Sequence, residues 1–500
     1  MTKKEPNSDM YYPSKKEFIK LAKKGNVIPV YSEMLDDFGT PLSVFLAVDE
    51  GDFSYLLESV EGGEHMARFS FLGSAPSLTI ESRGDTISIT EGTKKKTYKT
   101  KTNPIDEIKK LMDKFRFVPV DGLPRFCGGL VGYMGYDMVR HIENVPDMNP
   151  ADFDIADMQF VLTDTILILD HVEHRIKIVS NAVIKGDPAI AYDKACREID
   201  KIIKKLKNFK VNLTETKKQV KKSRLKSNFS KEKFCEIVKK AKSYIRAGEV
   251  IQLVLSQRIE RKTKVEPFSI YRALRSINPS PYMYYLKFGG YKIIGSSPEI
   301  LVRCENRVVE VRPIAGTRPR GRGEKEDAKF EKELLADPKE KAEHIMLVDL
   351  GRNDIGRVCE YSTVKVKELM CVERYSHVMH IVSDVEGVLR KDKDIYDLIK
   401  AVFPAGTVTG APKVRAMQLI DELENVRRGP YAGCVGYISF SGNTDMCITI
   451  RTIVMKGDTA FIQAGAGIVL DSKPEKEYEE TLNKAKAMFK AVEFAERGLE

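Results

Sequence analysis

Polar and apolar residues alternate over short runs in the first third of the chain, and Gly, Pro and Asp residues separate the runs. A period of two is typical of β-strands with one buried face, and clusters of turn-forming residues mark strand ends. Residues 27–180 are therefore predicted to form a sheet-rich region. Strands are predicted within it at residues 41–48, 77–81 and 165–169.

A helical period replaces this alternation further along the chain. Apolar residues spaced three and four apart predict an amphipathic helix over residues 189–206. A second helix is predicted over residues 231–246, because Ser230 precedes it as a good N-cap residue. Strands and helices are mixed from there to the end of the chain.

The composition is that of a globular protein with a sizeable core. The chain has 500 residues, of which 42% are hydrophobic and 31% are charged, enough for two or three domains. Its longest apolar runs have the length of strands and it opens with charged and polar residues, so neither a membrane span nor a signal peptide is expected. The eight cysteines form no CxxC pair, which argues against a zinc or disulfide framework and favours a cytoplasmic location.

The net charge of +10 is concentrated in one segment. Residues 201–226 contain eleven basic residues and one acidic residue, so this segment alone accounts for the whole excess. A nucleic-acid-binding protein has a broader basic surface, and nucleic-acid binding is therefore not expected. We interpret the segment as a solvated helix end followed by a linker, with a basic tether for nucleic acid or another partner as the alternative.

Two glycine-rich segments do not match nucleotide-binding motifs. Residues 406–413, GTVTGAPK, have the length of a P-loop, but valine follows the lysine in place of the Ser or Thr that would bind Mg²⁺. Residues 128–135, GGLVGYMG, lack the glycine spacing of a dinucleotide-binding turn. Neither a nucleoside triphosphate nor NAD is predicted as a ligand.

Two further helices are predicted, one opened by Asp337 and Pro338 and one after Pro474. Each carries a pair of glutamates three residues apart, which puts both carboxylates on one helical face. The pairs are Glu340 with Glu343, and Glu477 with Glu480. Like charges on one face repel each other unless a cation lies between them. Two such faces brought together would bind Mg²⁺ through carboxylate oxygens and leave positions for an acidic substrate. A solvated surface face is the alternative, and it is the commoner arrangement for such pairs.

An anion-binding segment is predicted directly after a strand at residues 459–462. Gly465, Ala466 and Gly467 leave their backbone N–H groups accessible to a carboxylate, because no large side chain obstructs them. A tight turn without a ligand is the alternative.

One arginine and two histidines are further candidates. Arg451 is predicted on a mostly apolar strand, where its guanidinium requires a carboxylate from the protein or from a ligand. His377 and His380 are three residues apart, but no further ligands follow at a zinc-binding interval. A single functional histidine is therefore favoured over a zinc pair, and a histidine hydrogen-bonded within the fold is the simplest alternative.

Seven motifs occur in one order along the second half of the chain, and in this order they resemble the motifs of the chorismate-utilising enzymes. Three N-terminal motifs, LLES, ARFSFLG and CGGLVGYMGYD, resemble those of the anthranilate synthase large subunits within that family. The resemblance covers nearly the whole chain apart from the lysine-rich segment and the two ends. The seven motifs are SSPE (296–299), PIAGTRPRG (313–321), EHIMLVDLGRNDIGRV (343–358), HVMHIVSDVEG (377–387), FPAGTVTGAPKVRAM (403–417), GPYAGCVGY (429–437) and GAGIVLDSKPEKEYEET (465–481).

The resemblance implies an α+β fold in which layered antiparallel β-sheets are flanked by helices, with an N-terminal domain packed closely against the rest. Residues 26–200 would form this regulatory N-terminal domain, and residues 229–495 the catalytic domain that binds chorismate. Residues 1–25 would be an N-terminal extension, and residues 201–228 a helix end and linker.

The resemblance also implies roles for individual residues. Glu299 would protonate the hydroxyl group that leaves the ring, and His380 would assist the elimination of pyruvate. Mg²⁺ would be bound by Glu343 and Glu480, with Glu340 and Glu477 in support. The residues implied to contact chorismate are Gly316, Thr317, Tyr431, Arg451, Gly465, Ala466, Gly467 and Lys484. The residues implied to bind L-tryptophan as a feedback inhibitor are Ser59, Pro281, Tyr282 and Met283.

Two positions distinguish activities within the family. Isochorismate and salicylate synthases activate water with a lysine at the position of Gln252, and many aminodeoxychorismate synthases attack the ring with a lysine at the position of Ala315. Without either lysine, ammonia would attack the ring directly and anthranilate would be the product. The aminodeoxychorismate synthase large subunit is the alternative, since some of those enzymes also have alanine there.

The source of ammonia would lie outside this chain. No Cys–His pairing in the sequence resembles that of an amidotransferase. The resemblance therefore implies a partner glutamine amidotransferase subunit, in a heterotetramer of two large and two small subunits.

Overall fold

The structure, a computed structural model, describes residues 10–37, 39–60, 68–210, 224–375 and 378–499. The helices are α1 Lys15–Leu21, α2 Pro41–Val48, α3 Pro104–Met112, α4 Pro188–Asn208, α5 Lys231–Arg246, α6 Pro267–Ile277, α7 Glu324–Ala336, α8 Pro338–Gly356, α9 Ile395–Val402, α10 Lys413–Leu423 and α11 Pro474–Glu496. The strands are β1 Val27–Leu35, β2 Phe53–Glu58, β3 Phe69–Ser74, β4 Leu78–Arg83, β5 Thr86–Glu91, β6 Lys94–Lys99, β7 Gly129–Met134, β8 Met158–Thr163, β9 Thr165–Asp170, β10 Arg175–Val183, β11 Lys226–Ser227, β12 Gln252–Lys262, β13 Tyr282–Phe288, β14 Tyr291–Ser297, β15 Ile300–Glu305, β16 Val308–Val311, β17 Ile314–Pro319, β18 Lys365–Arg374, β19 Val378–Val388, β20 Gly410–Ala411, β21 Cys434–Ser439, β22 Thr444–Ile448, β23 Thr452–Lys456 and β24 Thr459–Ile468.

Two twelve-stranded antiparallel sheets form the centre of the fold. The first sheet has the order β1-β10-β9-β3-β2-β13-β14-β23-β24-β12-β11, with β20 paired to β12. The second sheet has the order β17-β19-β16-β15-β22-β21-β7-β8-β4-β5-β6, with β18 paired to β19. Each sheet combines strands from before and after the lysine-rich segment, because β2 pairs with β13 and β7 pairs with β21.

Side chains pack in layers on both faces of these sheets. Tyr55 and Tyr284 of the first sheet share a hydrophobic cluster with Tyr133 and Tyr437 of the second, so the sheets pack face to face. Helices α2, α4, α6 and α11 contribute to the cluster on the outer face of the first sheet. Helices α3, α8 and α9 do the same for the second sheet. The predicted architecture of layered antiparallel sheets flanked by helices is confirmed.

Two chain segments cross from one sheet to the other side by side. One connects β14 of the first sheet to β15 of the second and carries Glu299; the other connects β22 of the second sheet to β23 of the first and carries Arg451. The N–H of Ser296 donates to the Arg451 carbonyl (3.2 Å), and the N–H of Ile448 donates to the Glu299 carbonyl (2.9 Å). Backbone hydrogen bonds therefore hold the two crossings together.

Most of the elements predicted above are confirmed. The predicted strands at residues 77–81 and 165–169 correspond to β4 and β9, and the helix predicted at residues 189–206 corresponds to α4. Helix α5 has the predicted bounds, and the hydroxyl of Ser230 accepts a hydrogen bond from the N–H of Lys233 (3.3 Å).

The strand predicted at residues 41–48 is wrong, because Pro41–Val48 is helix α2. The hydroxyl of Thr40 caps the helix and Pro41 occupies its first turn, where a missing N–H costs nothing. Val44 and Phe45 are buried in the cluster outside the first sheet. A short apolar run is compatible with either element, and here the cap and the tertiary packing favour the helix.

The lysine-rich segment begins on α4, which ends at Asn208. Residues 211–223 lie outside the described residues. The chain re-enters the first sheet at β11, where Lys226 pairs with Glu260 of β12. The predicted domain boundaries stay a prediction. Among the described residues, no helix combines the length and the apolar character needed to cross a membrane.

Candidate active site

Glu299 lies in the crossing between β14 and β15, with its carboxyl group largely buried. The hydroxyl of Thr407 donates a hydrogen bond to Glu299 Oε2 (2.8 Å). Burial raises the pKa of Glu299, while the Thr407 hydroxyl and the charges of Arg451 and Lys484 act in the opposite direction. Because burial dominates, this carboxyl group holds its proton to a higher pH than an exposed glutamate and is suited to act as a general acid.

Thr407 was not identified from the sequence. The segment GTVTGAPK does not match a P-loop, and its residues Gly406–Val408 form a 3-10 turn that presents the Thr407 hydroxyl to Glu299. The guanidinium of Arg428 fixes this turn by donating to the Val408 carbonyl (2.8 Å). The lysine of the segment, Lys413, pairs instead with Asp354 (2.6 Å).

His380 lies on β19 with its ring largely buried. Its Nδ1 is 2.8 Å from the Gly316 carbonyl, which can only accept, so Nδ1 carries the proton and Nε2 has the lone pair. Burial lowers the pKa of His380 and keeps the ring neutral near pH 7. His377, the other histidine of the motif, lies outside the described residues.

Gly316 and Thr317 form a bulge of β17 beside His380. The pairing of β17 with β19 shifts register between Ala315 and Arg318, and Gly316 has a φ of 66°. The Thr317 hydroxyl is 3.1 Å from His380 Nδ1. The bulge therefore directs both predicted substrate contacts toward the histidine.

Gly465, Ala466 and Gly467 belong to strand β24, so the predicted end of this strand at residue 462 is wrong. Strand β12 pairs with β24 as far as Ile468, which extends the strand beyond the apolar run that predicted it. A Cβ atom on Gly465 would lie 2.7 Å from the hydroxyl of Tyr431, and one on Gly467 would lie 2.6 Å from Gln252 Nε2. A Cβ atom on Gly465 would also lie 2.9 Å from the backbone carbonyl of Leu255, so a larger residue there is excluded, whereas only the flexible end of Gln252 opposes one at Gly467.

One backbone edge of this glycine segment faces away from β12. Strand β23 pairs with β24 only through Ile462. Lys484 Nζ approaches the free edge and donates to the Gly465 carbonyl (3.1 Å). Unpaired backbone N–H groups beside a lysine form a suitable site for a carboxylate.

Arg451 lies in the crossing between β22 and β23, so its predicted position within a continuous strand is wrong. The chain changes sheets here and Arg451 adopts a φ of 49°. Burial lowers the pKa of Arg451, whereas the charge of Glu299 acts in the opposite direction. Within the described part of the chain no carboxylate forms an ion pair with this guanidinium, which leaves it available to an anionic ligand.

Tyr431 is buried above a fully buried ion pair. The Arg428 guanidinium lies 5.6 Å from the centre of the Tyr431 ring and pairs with Glu424 (2.6 Å). Arg428 also donates to the Val254 carbonyl of β12 (2.7 Å). Since the same guanidinium holds the turn of Thr407, one buried cation fixes three elements of the site.

The two predicted acidic helices are confirmed, and both reach the β12–β24 end of the site. Glu343 of α8 accepts a hydrogen bond from Gln252 Nε2 at the start of β12 (3.0 Å). Glu480 of α11 pairs with Lys484 (2.8 Å), the same lysine that binds β24. Glu340 pairs with Arg318 (3.2 Å).

The carboxylates of α11 repel each other. Burial and the charge of Glu480 raise the pKa of Glu477. In the described ranges, no group of three or more Asp, Glu, His or Cys side chains is arranged to hold a metal ion. The assignment of Glu343 and Glu480 as metal ligands stays a prediction.

A second site is a cavity of about 670 Å³ between the two sheets, which we call the effector cavity. Its lining includes all four residues assigned above to an effector, namely Ser59, Pro281, Tyr282 and Met283. Aromatic rings and charged groups of both signs complete the wall, including Phe71, Tyr437, Arg125, Arg303, Asp445 and Lys177.

Comparisons with known proteins agree with this architecture. Residues 54–490 match a family model described as chorismate binding enzyme. The chain is 54% identical to anthranilate synthase component 1 of Aquifex aeolicus and 52% identical to that of Acetivibrio thermocellus, covering 97% of this chain and 99% of each relative. It is also similar to a crystal structure of anthranilate synthase component I from Streptococcus pneumoniae, with a TM-score of 0.77, 36% identity, and coverage of 91% of this chain and 98% of that one.

The stability of the folded chain is predicted to depend on pH through His344 of α8. This fully buried side chain contacts the Ser383 hydroxyl of β19 through Nε2 (2.6 Å), and burial lowers its pKa from 6.5 to about 4. The unfolded chain binds a proton near pH 6.5 and the folded chain does not, so stability is lost as the pH falls from about 6.5 toward 4. Urea unfolding should show a loss of about 1–2 kcal/mol from this group between pH 7 and pH 5.

The variant His344→Gln should show a correspondingly smaller loss over the same interval. His174→Asn is the matched control, because His174 is exposed in the turn between β9 and β10 and has a φ of 52° that asparagine tolerates. An equal pH dependence in all three proteins would show that His344 is not the titrating group.

Proposed function

The chain belongs to the chorismate-binding enzyme family, specifically to its anthranilate synthase component I group, and we propose that it converts chorismate and ammonia to anthranilate and pyruvate. The observation that carries this proposal is the near-full-length similarity to enzymes of that name. The geometry around Glu299, His380 and Arg451 provides the acid, the base and the anion-binding group that this reaction requires.

Chorismate carries two carboxylates, and the site offers two places for them. The Arg451 guanidinium and the free edge of Gly465 to Gly467 are one such place, with Tyr431 beside them. The other carboxylate would bind to a cation held by the glutamates of α8 and α11. A carboxylate at Arg451 would also compensate the cost of burying that guanidinium.

The proposed chemistry uses the protonation states described above. Ammonia forms a bond to a ring carbon at one end of the diene, the π electrons shift, and the hydroxyl at the other end leaves as water with the proton of Glu299. A proton then leaves the carbon that bears nitrogen, and the enolpyruvyl C–O bond breaks to leave an aromatic ring and the enolate of pyruvate. The enolate takes up a proton at its methylene carbon and becomes pyruvate. Neutral His380 has a lone pair on Nε2 and would accept a proton in this second stage.

We propose Glu343 and Glu480 as Mg²⁺ ligands, with Glu340 and Glu477 in support. The closeness of Glu477 to Glu480 supports this assignment, because a divalent cation would relieve the repulsion between the two carboxylates. When bound, the ion would neutralise a substrate carboxylate and help to orient the ring.

Ammonia is proposed as the nucleophile because no lysine stands at either position where relatives of other activity carry one. Gln252 lies against Glu343, and Ala315 begins the bulge beside His380. A partner glutamine amidotransferase subunit would supply the ammonia, in the heterotetramer inferred above.

L-Tryptophan is proposed to bind in the effector cavity and to inhibit the reaction. A zwitterionic amino acid requires an acidic and a basic partner, and the cavity wall offers Asp445 together with Arg125 and Arg303. The aromatic wall suits an indole ring, and the volume of about 670 Å³ lies within the usual range for small-molecule sites.

The activity is tested by the product. The purified chain with chorismate, an ammonium salt and Mg²⁺ should form anthranilate and pyruvate, identified by fluorescence and mass spectrometry. A sample without ammonium salt is the control and should form neither. Accumulation of 4-amino-4-deoxychorismate would instead assign the chain to the aminodeoxychorismate synthases.

The role of Glu299 is tested through Thr407. A general acid is active when protonated, so kcat/KM should fall as the pH rises through the pKa of Glu299. The fall of kcat/KM with rising pH is the alkaline limb of the profile. The Thr407→Val variant loses a donor that favours the charged carboxylate, so the pKa of Glu299 and with it the alkaline limb should move up by about 0.5–1 pH unit. Thr407→Ser keeps the donor and should retain the parent profile. An unchanged limb in the valine variant would remove Glu299 as the acid.

The effector site is tested through Ser59. Ser59→Ala should weaken inhibition by tryptophan while turnover stays within about twofold of the parent, because the residue contributes to the cavity rather than to the acid and base. Ser43→Ala, on helix α2 outside the cavity wall, is the control. Equal inhibition of the Ser59 variant and the parent would place the effector elsewhere.

A further inference from the structure

An unbroken series of ion pairs and hydrogen bonds begins at the wall of the effector cavity. Asp445 accepts hydrogen bonds from the Tyr282 hydroxyl (2.9 Å) and from Arg303 Nε (2.9 Å), and all three residues line the cavity. The other side of the Arg303 guanidinium donates to Glu310 (3.2 Å). Arg303 therefore belongs both to the cavity wall and to the interior of the second sheet.

The series of ion pairs continues from Glu310 toward His380. Arg312 lies 3.9 Å from Glu310 and forms a closer ion pair with Glu373 of β18. Glu373 also accepts a hydrogen bond from the Tyr375 hydroxyl (2.8 Å). The charges alternate in sign from Asp445 to Glu373, so each ion pair shares a group with the next one.

The series of contacts ends at His380, the histidine proposed above as the base. The ring of Tyr375 meets the ring of His380 edge-on, with 5.7 Å between the ring centres. Glu373 is the cross-strand partner of His380 in the pairing of β18 with β19. Tyr375 and the charged strand β18 thus form the support against which the His380 ring lies.

A small void confirms that the two ends are close. A space of about 10 Å³, no larger than one water molecule, is lined by Tyr282 and Arg303 from the cavity side and by Arg312 and Tyr375 from the histidine side. The wall of the effector cavity and the residues that support His380 are therefore adjacent.

We propose that Arg312 and Glu373 are positioning residues that hold Tyr375 against His380 and transmit the occupancy of the effector cavity to that histidine. The transmission part of the proposal rests on the proposed function, in which an amino acid binds in the cavity. We call the connected residues the ion-pair chain, namely Asp445, Arg303, Glu310, Arg312, Glu373 and Tyr375.

The separation between Arg312 and Glu310 explains how the ion-pair chain would respond. It is the longest contact in the chain, so Arg312 pairs mainly with Glu373 when the cavity holds no ligand. A ligand carboxylate bound to Arg303 competes with Glu310 for that guanidinium. Glu310 then pairs more closely with Arg312, Arg312 releases Glu373, and Tyr375 loses its fixed position beside His380.

The test separates tryptophan binding from tryptophan inhibition. Three variants interrupt the ion-pair chain beyond the cavity wall, namely Arg312→Gln, Arg312→Lys and Glu373→Gln. Calorimetry on each purified full-length chain gives the Kd for tryptophan, and the anthranilate assay gives its inhibition together with kcat and KM. Arg261→Lys is the matched control, because Arg261 also bridges two glutamates, Glu493 and Glu496, at the far end of β12.

We expect Arg312→Gln and Glu373→Gln to bind tryptophan with a Kd within threefold of the parent while half-inhibition needs at least tenfold more tryptophan. Their kcat without tryptophan should fall at least threefold, with KM changed less than twofold, since the substrate contacts are intact. Arg312→Lys keeps the charge and should lie between these variants and the parent. The Arg261 variant should match the parent in all four quantities.

Each contrary outcome has a distinct meaning. Variants that bind tryptophan and are inhibited like the parent overturn transmission along the ion-pair chain. An unchanged kcat in Arg312→Gln and Glu373→Gln overturns their role in positioning His380. If the parent itself does not bind tryptophan, the proposed effector function fails, and positioning is then judged from kcat alone. If Arg312→Gln does not fold, the other two variants decide.

Discussion

The site depends on two chain segments that leave one sheet and enter the other side by side. Hydrogen bonds between their backbones, from Ser296 to Arg451 and from Ile448 to Glu299, hold the crossing together. An acid and a cation that are more than 150 residues apart in sequence are thereby fixed near each other in the interior. A single helix or strand could not bring these two side chains together, because each lies on a segment that crosses from one sheet to the other.

Burial at the crossing gives these groups their chemical character. It raises the pKa of Glu299, lowers the pKa of His380, and leaves Arg451 with no carboxylate partner among the described residues. The buried pair of Arg428 and Glu424 ties the turn of Thr407 to β12 and so keeps that hydroxyl against Glu299. The proposed acid and base are therefore held in protonation states suited to those roles before any substrate binds.

Local signals predicted much of this from the sequence. Helices α4 and α5 follow from apolar periodicity, with Ser230 as the cap of α5. The starts of α8 and α11 follow from Pro338 and Pro474, and the motif order identified the family. The predictions that were wrong concern residues whose conformation depends on contacts far away in sequence. The strand character of Gly465 to Gly467 comes from β12, about 200 residues earlier, and the position of Arg451 comes from a change of sheet. Thr407 acquires its role only because Glu299, 108 residues away in sequence, lies against it. Periodicity carries no information about such contacts.

The most direct test is a crystal structure of the chain with Mg²⁺ and chorismate but without ammonium, so that the ring is retained. The account predicts one ion within about 2.0–2.2 Å of oxygens from both Glu343 and Glu480. It also predicts the ring hydroxyl within about 2.6–3.0 Å of the Glu299 carboxyl and a substrate carboxylate on Arg451. Chorismate bound elsewhere, or Glu343 and Glu480 on separate outer surfaces with no shared ion, would contradict it.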